Sequence, residues 1–301
     1  METIFRPIYL PENMGLGNAL REALNLCTYE LVARMDSDDI CAENRFQLQL
    51  DRFLDHPELD IVGGNITEFD GEESNITGRR VVPEHDSEIK QYMKKRCPMN
   101  HVAVMYKKHA VQSSGGYQDW FWNEDYYLWI RMMEHGCVFG NLPENVVNVR
   151  GGAEMSARRG GWKYFKSEEG IQRYMLRHKL IGVPQYLYNT ALRFGGEIVA
   201  TNRLRKFLFK FMRKPYISGD ICNDGYQYSE LPNRDYPPFS VAMSVYGKDK
   251  SEWFDRALES VLIKQSVKPN EVVLIVDGPI SQELQYVIDK YIAICAGISK
   301  S

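Results

Sequence analysis

The stretch Leu31-Val32-Ala33-Arg34-Met35-Asp36-Ser37-Asp38-Asp39 sets the fold class of this chain. A short apolar run, the pattern of a buried strand, ends in three carboxylates within four positions. A helical segment begins soon after, near Asn44. In α/β sheets, ligands bind beyond the carboxyl ends of the strands. Carboxylates crowded at such a place are costly unless something positive sits among them. A divalent cation carrying a nucleotide diphosphate would account for both the charge and the place. All-oxygen ligands favour Mg²⁺ or Mn²⁺ over zinc. The same residues also fit a solvated acidic turn that caps the following helix.

The rest of the composition agrees with a soluble globular protein. The chain has 301 residues, 44% of them hydrophobic and 26% charged, enough for a real core in one large domain or two ordinary ones. A net charge of −3 gives no reason to expect nucleic acid as a partner. The six cysteines lack C-x-x-C spacing, which argues against structural zinc and a disulfide framework and for a reducing compartment. With no signal peptide and no apolar run of spanning length, a cytoplasmic setting is expected.

Outward from the acidic stretch, β and α signals alternate. Ile4 to Leu10 reads as a strand, placed at an edge by Pro7. The turn-rich loop Pro11 to Gly17 leads to Asn18, a cap for a helix through Leu26. Phe46, Leu50, Phe53 and Leu54 line one face of a helix that stops before Pro57. Ile61 opens a strand, Ser87 caps a helix ending at Lys94-Lys95-Arg96, and Val102 to Tyr106 reads as a buried strand. Val146 to Arg150 is a late strand. This alternation predicts a mostly parallel sheet covered by helices.

Three further stretches carry chemistry. Gly115-Gly116 and the aromatics through Trp122 precede Glu124-Asp125, which open a helix closed by Gly136. Acidic residues in a first turn are stabilised by the helix dipole alone. Among aromatics and glycines, a carboxylate there is also placed to act as a general base toward a hydroxyl. Arg158-Arg159, flanked by glycines, suit either a loop closing on phosphate or a basic surface loop. From Tyr186 to Lys214, cations interleave with Leu and Phe. That pattern fits an anionic membrane interface, or a packed helix with a solvated basic face. A Gly-, Asn- and Pro-rich linker follows. After it, Phe239 to Tyr246 and Glu271 to Val276 are strongly apolar strands, joined by an amphipathic helix from Trp253 to Ile263. The second strand ends at Asp277-Gly278, and a helix from Gln282 to about Tyr291 completes a β-α-β-α unit.

Taken together, these motifs resemble the family 2 glycosyltransferases, which have the GT-A fold, but in two pieces and in reversed order. The family's first strand resembles Ser240 to Tyr246. Its first helix resembles Phe254 to Leu262, and its second strand resembles Val273 to Gly278. The family's next parts resemble Asn13 to Leu20, then Asp36-Ser37-Asp38-Asp39, and last the acidic pair Glu124-Asp125. The resemblance covers most of residues 3–215 and 238–292. The expected organisation is therefore 1–180 as the acceptor side of a GT-A domain, 181–215 as a cationic tail, 216–237 as a linker, and 238–301 as the nucleotide-binding unit completing the same domain. A circular permutant, a fragment of a tandem array and exchange between two chains of a homodimer would each explain the order. Closure within one chain is favoured, because residues 4 to 106 would otherwise leave long unpaired apolar edges.

The resemblance implies an inverting, metal-dependent transferase working in surface-polysaccharide or lipopolysaccharide assembly. Its donor is a nucleotide sugar, with uracil the usual base, and its acceptor a glycan or a lipid-linked glycan. Asp277 would accept a hydrogen bond from the base, Ser244 and Tyr246 would line the base slot, and the loop with Asn13 and Gly15 would touch the nucleoside. Asp36 would lie near the ribose, Asp38 would bind Mg²⁺ or Mn²⁺, Asp125 with Glu124 would serve the acceptor hydroxyl, and Arg158 and Arg159 would meet the diphosphate. The basic tail implies a peripheral place on the inner face of a membrane. Two departures stand out. The strand end carries one acidic residue before Gly278-Pro279 where the family has two, and Gly247 replaces the usual Asn. A nucleotidyltransferase is the competing enzyme, although Ser244 to Lys250 poorly imitates its phosphate loop. A folded relic without turnover is the non-enzyme alternative.

Overall fold

A computed structural model of the chain describes residues 4–151, 161–199 and 234–298. The strands are β1 (Phe5–Tyr9), β2 (Leu31–Met35), β3 (Ile40–Cys41), β4 (Ile61–Phe69), β5 (Ile76–Arg80), β6 (Met105–Lys107), β7 (Phe139–Arg150), β8 (Phe239–Tyr246) and β9 (Glu271–Asp277). The helices are α1 (Leu16–Leu26), α2 (Arg45–Asp55), α3 (Asp86–Met93), α4 (Lys108–Ser113), α5 (Glu124–Glu134), α6 (Trp162–Arg177), α7 (Val183–Phe194), α8 (Ser251–Leu262) and α9 (Gln282–Ile298).

All nine strands join one mixed sheet in the order β1-β9-β8-β2-β6-β4-β7-β3, with β5 paired to β4. The two strands from the end of the sequence therefore lie inside the sheet formed by its beginning. β8 pairs in parallel with β9 on one side and β2 on the other, bringing Met243 beside both Leu274 and Met35. β1 pairs with β9 as an edge strand and carries Pro7, as its sequence predicted. The run of parallel strands ends at β6, which is antiparallel to both β2 and β4.

Strands this apolar belong where both faces are covered. Successive side chains of β9 point to opposite faces. Val272, Leu274 and Val276 pack in one cluster with Phe46 and Leu50 of α2, Phe254 and Leu258 of α8, and Leu284 and Ile288 of α9. Val273 and Ile275 pack in the other, with Ala19 and Leu20 of α1, Trp129 of α5 and Ile171 of α6. The tail thus contributes to both halves of the core.

Several local expectations change. α1 begins at Leu16 after Gly15, and the Asn18 side chain donates back to the Met14 carbonyl at 2.9 Å. Ser87 lies inside α3, and His85 holds the N-cap position. His101–Ala103 forms a 3-10 turn, so only Met105–Lys107 is strand there. β7 starts at Phe139, seven residues before Val146. Of the cationic segment 186–214, residues 200–214 lie outside the described residues, as does nearly all of the 216–237 linker.

Candidate active site

The parallel strands end together. Tyr246 of β8 pairs with Asp277 of β9, and Asp36 follows the end of β2. At this edge the Asp277 carboxylate accepts the N–H groups of Met14 at 2.7 Å and Gly15 at 3.1 Å. The Asn13 side-chain amide donates to the Asp277 carbonyl at 3.3 Å. The loop before α1 is thus clasped to the end of β9, with Asp277 only 5% exposed. Gly278 permits the approach. Its φ is +84°, and a Cβ there would stand 2.7 Å from the Asn13 nitrogen. Ser244 is half-buried and Tyr246 exposed on the neighbouring strand. Asp277, Ser244, Tyr246, Asn13 and Gly15 are thereby brought to one place, with the Asp277 carboxylate already engaged by main-chain donors.

Next to this clasp, one ligand oxygen from each of Asp36, Asp38 and Asp39 lies within 4.8 Å of the others. Asp36 is gripped by both terminal nitrogens of Arg34, one at 2.7 Å. Burial opposes the Arg34 charge, but Asp36, Tyr117 and Glu124 around it outweigh burial and hold it ionised. Asp39 is buried and accepts the Arg150 N–H at 2.7 Å. Burial, then the charges of Asp38 and Asp36, push its carboxyl well above the usual range. Burial, followed by Asp36 and Asp249, pushes Asp38 up to about 7. Arg150 closes the far side, donating to the Asp38 carbonyl at 3.2 Å and lying 4.4 Å from the Trp253 ring centroid.

This donor set fits a hard divalent cation. Its ligand atoms are all oxygens, and burial first, with the neighbouring carboxylates second, raises two of the three carboxyls, a cost that a bound cation would relieve.

Asp249 connects the two regions. One of its carboxylate oxygens accepts the Ser37 hydroxyl at 2.8 Å and the Tyr246 N–H at 3.1 Å. Burial is the main cause that raises it to about 6. The sequence reading missed Asp249, because nothing local distinguishes it in the Gly247 to Lys250 turn. Arg34 was also missed, although a charged residue inside an otherwise apolar strand was the available signal.

The acidic pair stands in the first turn of α5, close to the start of α1. A Cβ on Gly17 would lie 3.5 Å from Glu124 Cβ. Burial first, and Asp125 second, push Glu124 up to about 7. His101 Nδ1 is 4.0 Å from the Glu124 carboxylate, and its Nε2 is hydrogen-bonded to the Tyr117 hydroxyl at 3.0 Å. Burial and the Arg34 charge hold that imidazole well below its usual range, hence neutral. Asp125 receives the Cys97 thiol at 3.6 Å. The aromatic segment before the pair is fixed by Trp120, which lies 4.3 Å from the Tyr127 ring and donates to the Ser167 carbonyl at 3.2 Å. Glu124 and Asp36 therefore share Arg34 as a common counter-charge. Arg158 and Arg159 lie outside the described residues.

Residues 1–121 match glycosyl transferase family 2. Over 207 residues the chain is 42% identical to an uncharacterized glycosyltransferase of Haemophilus influenzae, covering 69% of this chain and 77% of that protein. It is 40% identical over 205 residues to the amylovoran biosynthesis glycosyltransferase AmsE of Erwinia amylovora, covering 68% and 76%. It is 35% identical over 201 residues to the UDP-Gal:alpha-D-GlcNAc-diphosphoundecaprenol beta-1,3-galactosyltransferase of Escherichia coli, covering 67% and 72%.

Proposed function

Because this chain belongs to glycosyltransferase family 2 and has its GT-A fold, we propose that it moves a sugar from a nucleotide-diphosphate donor, a UDP-sugar foremost, to a hydroxyl of a glycan or lipid-linked acceptor, with inversion. The observation that carries this reading is the Asp249 carboxylate. It joins the turn of Asp36, Asp38 and Asp39 to the strand end where Asp277 clasps the Asn13–Gly15 loop. A base slot and a diphosphate site are then neighbours on one sheet edge. Two relatives support the setting by name, one in amylovoran biosynthesis and one acting on a diphosphoundecaprenol acceptor.

In this mechanism Ser244 and Tyr246 line the base slot, and Asp277 serves it by fixing the Asn13–Gly15 loop against the nucleoside. Asp36, held by Arg34, lies at the ribose. Asp38 would hold Mg²⁺ or Mn²⁺, aided by its acidic neighbours. When bound, that ion supplies positive charge to the leaving diphosphate. Asp125 takes the proton of the acceptor hydroxyl as its oxygen attacks the anomeric carbon, and the bond from that carbon to the diphosphate oxygen breaks on the opposite side. Glu124, next to this base in the chain, feels the charges of both Asp125 and Arg34. Stabilisation of the departing diphosphate is assigned to Arg158 and Arg159, which lie outside the described residues.

The division into 1–180, 181–215, 216–237 and 238–301 follows from the same reading. Residues 238–301 act as the nucleotide-binding unit of a permuted or tandem-derived domain that closes within one chain. Among the described residues no helix is long and apolar enough to cross a membrane. The reading places contact with a lipid-linked acceptor at a membrane surface. The test is transfer from a panel of UDP-sugars to a synthetic diphosphate-lipid glycan with Mn²⁺ present. Sugar transfer should require acceptor and be lost in Asp125→Asn. Full turnover by that variant would remove the assigned base.

A further inference from the structure

Helix α7 is packed inside out. The side that faces the protein is polar. Asn189, 2% exposed, donates to the Lys94 carbonyl at 2.9 Å and to Gln172 at 2.7 Å. Arg193 pairs with Glu168 at 2.5 Å and donates to the Lys95 carbonyl at 2.9 Å. Tyr186 donates its hydroxyl to Glu169 at 2.5 Å. These three residues sit at helical spacing and fasten α7 to α6 and to the loop after α3. The opposite side is apolar and open to solvent. Val183, Leu187, Tyr188, Leu192 and Phe194 are 41–62% exposed, and Trp162 at the start of α6 is 59% exposed. The Trp162 ring lies 6.1 Å from that of Phe194, so the stripe continues across both helices.

A surface helix of a globular protein turns its apolar stripe inward. A helix anchored by its polar side, with its large side chains outward, is arranged to be covered by something apolar. The charges beside it indicate what. α7 contains no acidic residue. Lys166, Arg177 and Lys179 are exposed on α6 and the turn after it. Beyond Glu197 in the sequence, and outside the described residues, 200–214 holds Arg203, Arg205, Lys206, Lys210, Arg213 and Lys214 and no acid. Trp, Tyr and Phe beside cations suit the boundary between anionic headgroups and acyl chains. A second copy of this chain would bring the same positive charges face to face.

We infer that the outer face of α7, with Trp162, is a docking surface for an anionic lipid bilayer. This rests on the transferase reading only in explaining what such docking is for: it brings the site to an acceptor anchored in the same surface. The binding itself needs neither donor nor acceptor.

The experiment sediments the full chain with vesicles of phosphatidylethanolamine and phosphatidylglycerol, and separately with phosphatidylcholine alone. The native protein should pellet with the anionic vesicles, less with the zwitterionic ones, and lose binding as salt rises. The double substitution Leu187→Glu with Leu192→Glu should weaken binding by roughly tenfold or more. Because both side chains are exposed, it should leave the melting temperature and transfer to a water-soluble acceptor unchanged. Native protein that stays in the supernatant with anionic vesicles overturns the inference. So does a double variant that binds like the native chain. A native dimer that the double variant dissociates, without vesicle binding, also overturns it and assigns the face to a second copy. Transfer to the soluble acceptor tests the transferase reading separately from all of these.

Discussion

Cutting the chain within residues 216–233 should leave both pieces in one particle. The perturbation is a protease site inserted after Gly219 and cleaved in the purified protein. Residues 239–295 supply about twenty buried apolar side chains. At roughly 1.5–3 kcal/mol for each large one, their burial is worth some tens of kcal/mol before the cost of ordering the chain. Holding two separate pieces together costs about 4–15 kcal/mol in lost freedom of motion. The backbone argues the same way. β8 is hydrogen-bonded on both sides, and β1 finds its strand partner in β9. The assay is size-exclusion chromatography with light scattering at micromolar concentration. The cut protein should elute as one species near the intact mass of 34.9 kDa and separate only in denaturant. Residues 1–215 expressed alone should aggregate, because β2 would lose β8 along an apolar edge. Pieces that part on simple dilution would refute the reasoning. An intact chain that runs at twice its mass at every concentration would instead place the closure between chains.

Asp38→Asn should abolish the Mn²⁺-dependent stabilisation by UDP. In the native protein that stabilisation is about 3 kcal/mol at a hundredfold excess over the dissociation constant. Without metal the same variant should melt higher than the native protein, since it removes a half-buried charge that desolvation and its neighbours oppose. Glu124 is raised to about 7, so it binds a proton in the folded state at pH values where the unfolded chain has released it. Its contribution to stability is therefore lost as pH rises from about 5 to about 7, and a thermal scan across that range should show a decline that is smaller in Glu124→Gln. Asp249→Ala removes the acceptor of two hydrogen bonds, each worth about 1 kcal/mol, and should raise the donor KM roughly tenfold with a smaller change in kcat. Equal loss in KM and kcat would argue against a role in joining the two subsites. Gly247→Asn places a Cβ 2.6 Å from the Pro279 carbonyl oxygen and should cost about 1–3 kcal/mol in urea unfolding.

Much of this architecture was legible because apolar runs and their boundaries are local properties. β9 is buried on both faces and continuous from Val272 to Val276, while β8 alternates Val241, Met243 and Val245 with the small residues Ser240, Ala242 and Ser244. The elements that escaped are those whose cause lies elsewhere in the chain. β3 is two residues long and exists because β7 runs beside it. His101–Ala103 carries strand-like side chains but turns, since Asn100 is held by the Gly64 carbonyl at 2.8 Å and its own carbonyl takes the Ala103 N–H at 2.8 Å. Gly63 and Gly64 in β4 are explained by the side chains of Asn141, Met99 and Val146, which leave no room for a Cβ. The site divides in the same way. The crowded carboxylates announce themselves by density. Asp249 meets Ser37 across 212 residues of sequence, so its importance depends on the fold being closed.

The two departures from the family pattern, a single acid before Gly278-Pro279 and glycine at 247, have one physical cause. Asp277 can hold the N–H groups of Met14 and Gly15 only if the chain after it passes very near Asn13, where a side chain at 278 has no space. That passage carries the Pro279 carbonyl to within 2.6 Å of the place a Cβ on residue 247 would occupy. A side chain at 247 and this course of the chain exclude each other. The loss of the usual Asn is thus tied to the clasp rather than independent of it. It follows that the surface beside Tyr246 is bordered by main chain at 247, with no room for a side chain there. Under the proposed reading, a base seated there would meet the Tyr246 ring and those main-chain groups of the 13–15 loop that Asp277 does not already engage, and a substitution at 278 or 247 is expected to displace both together.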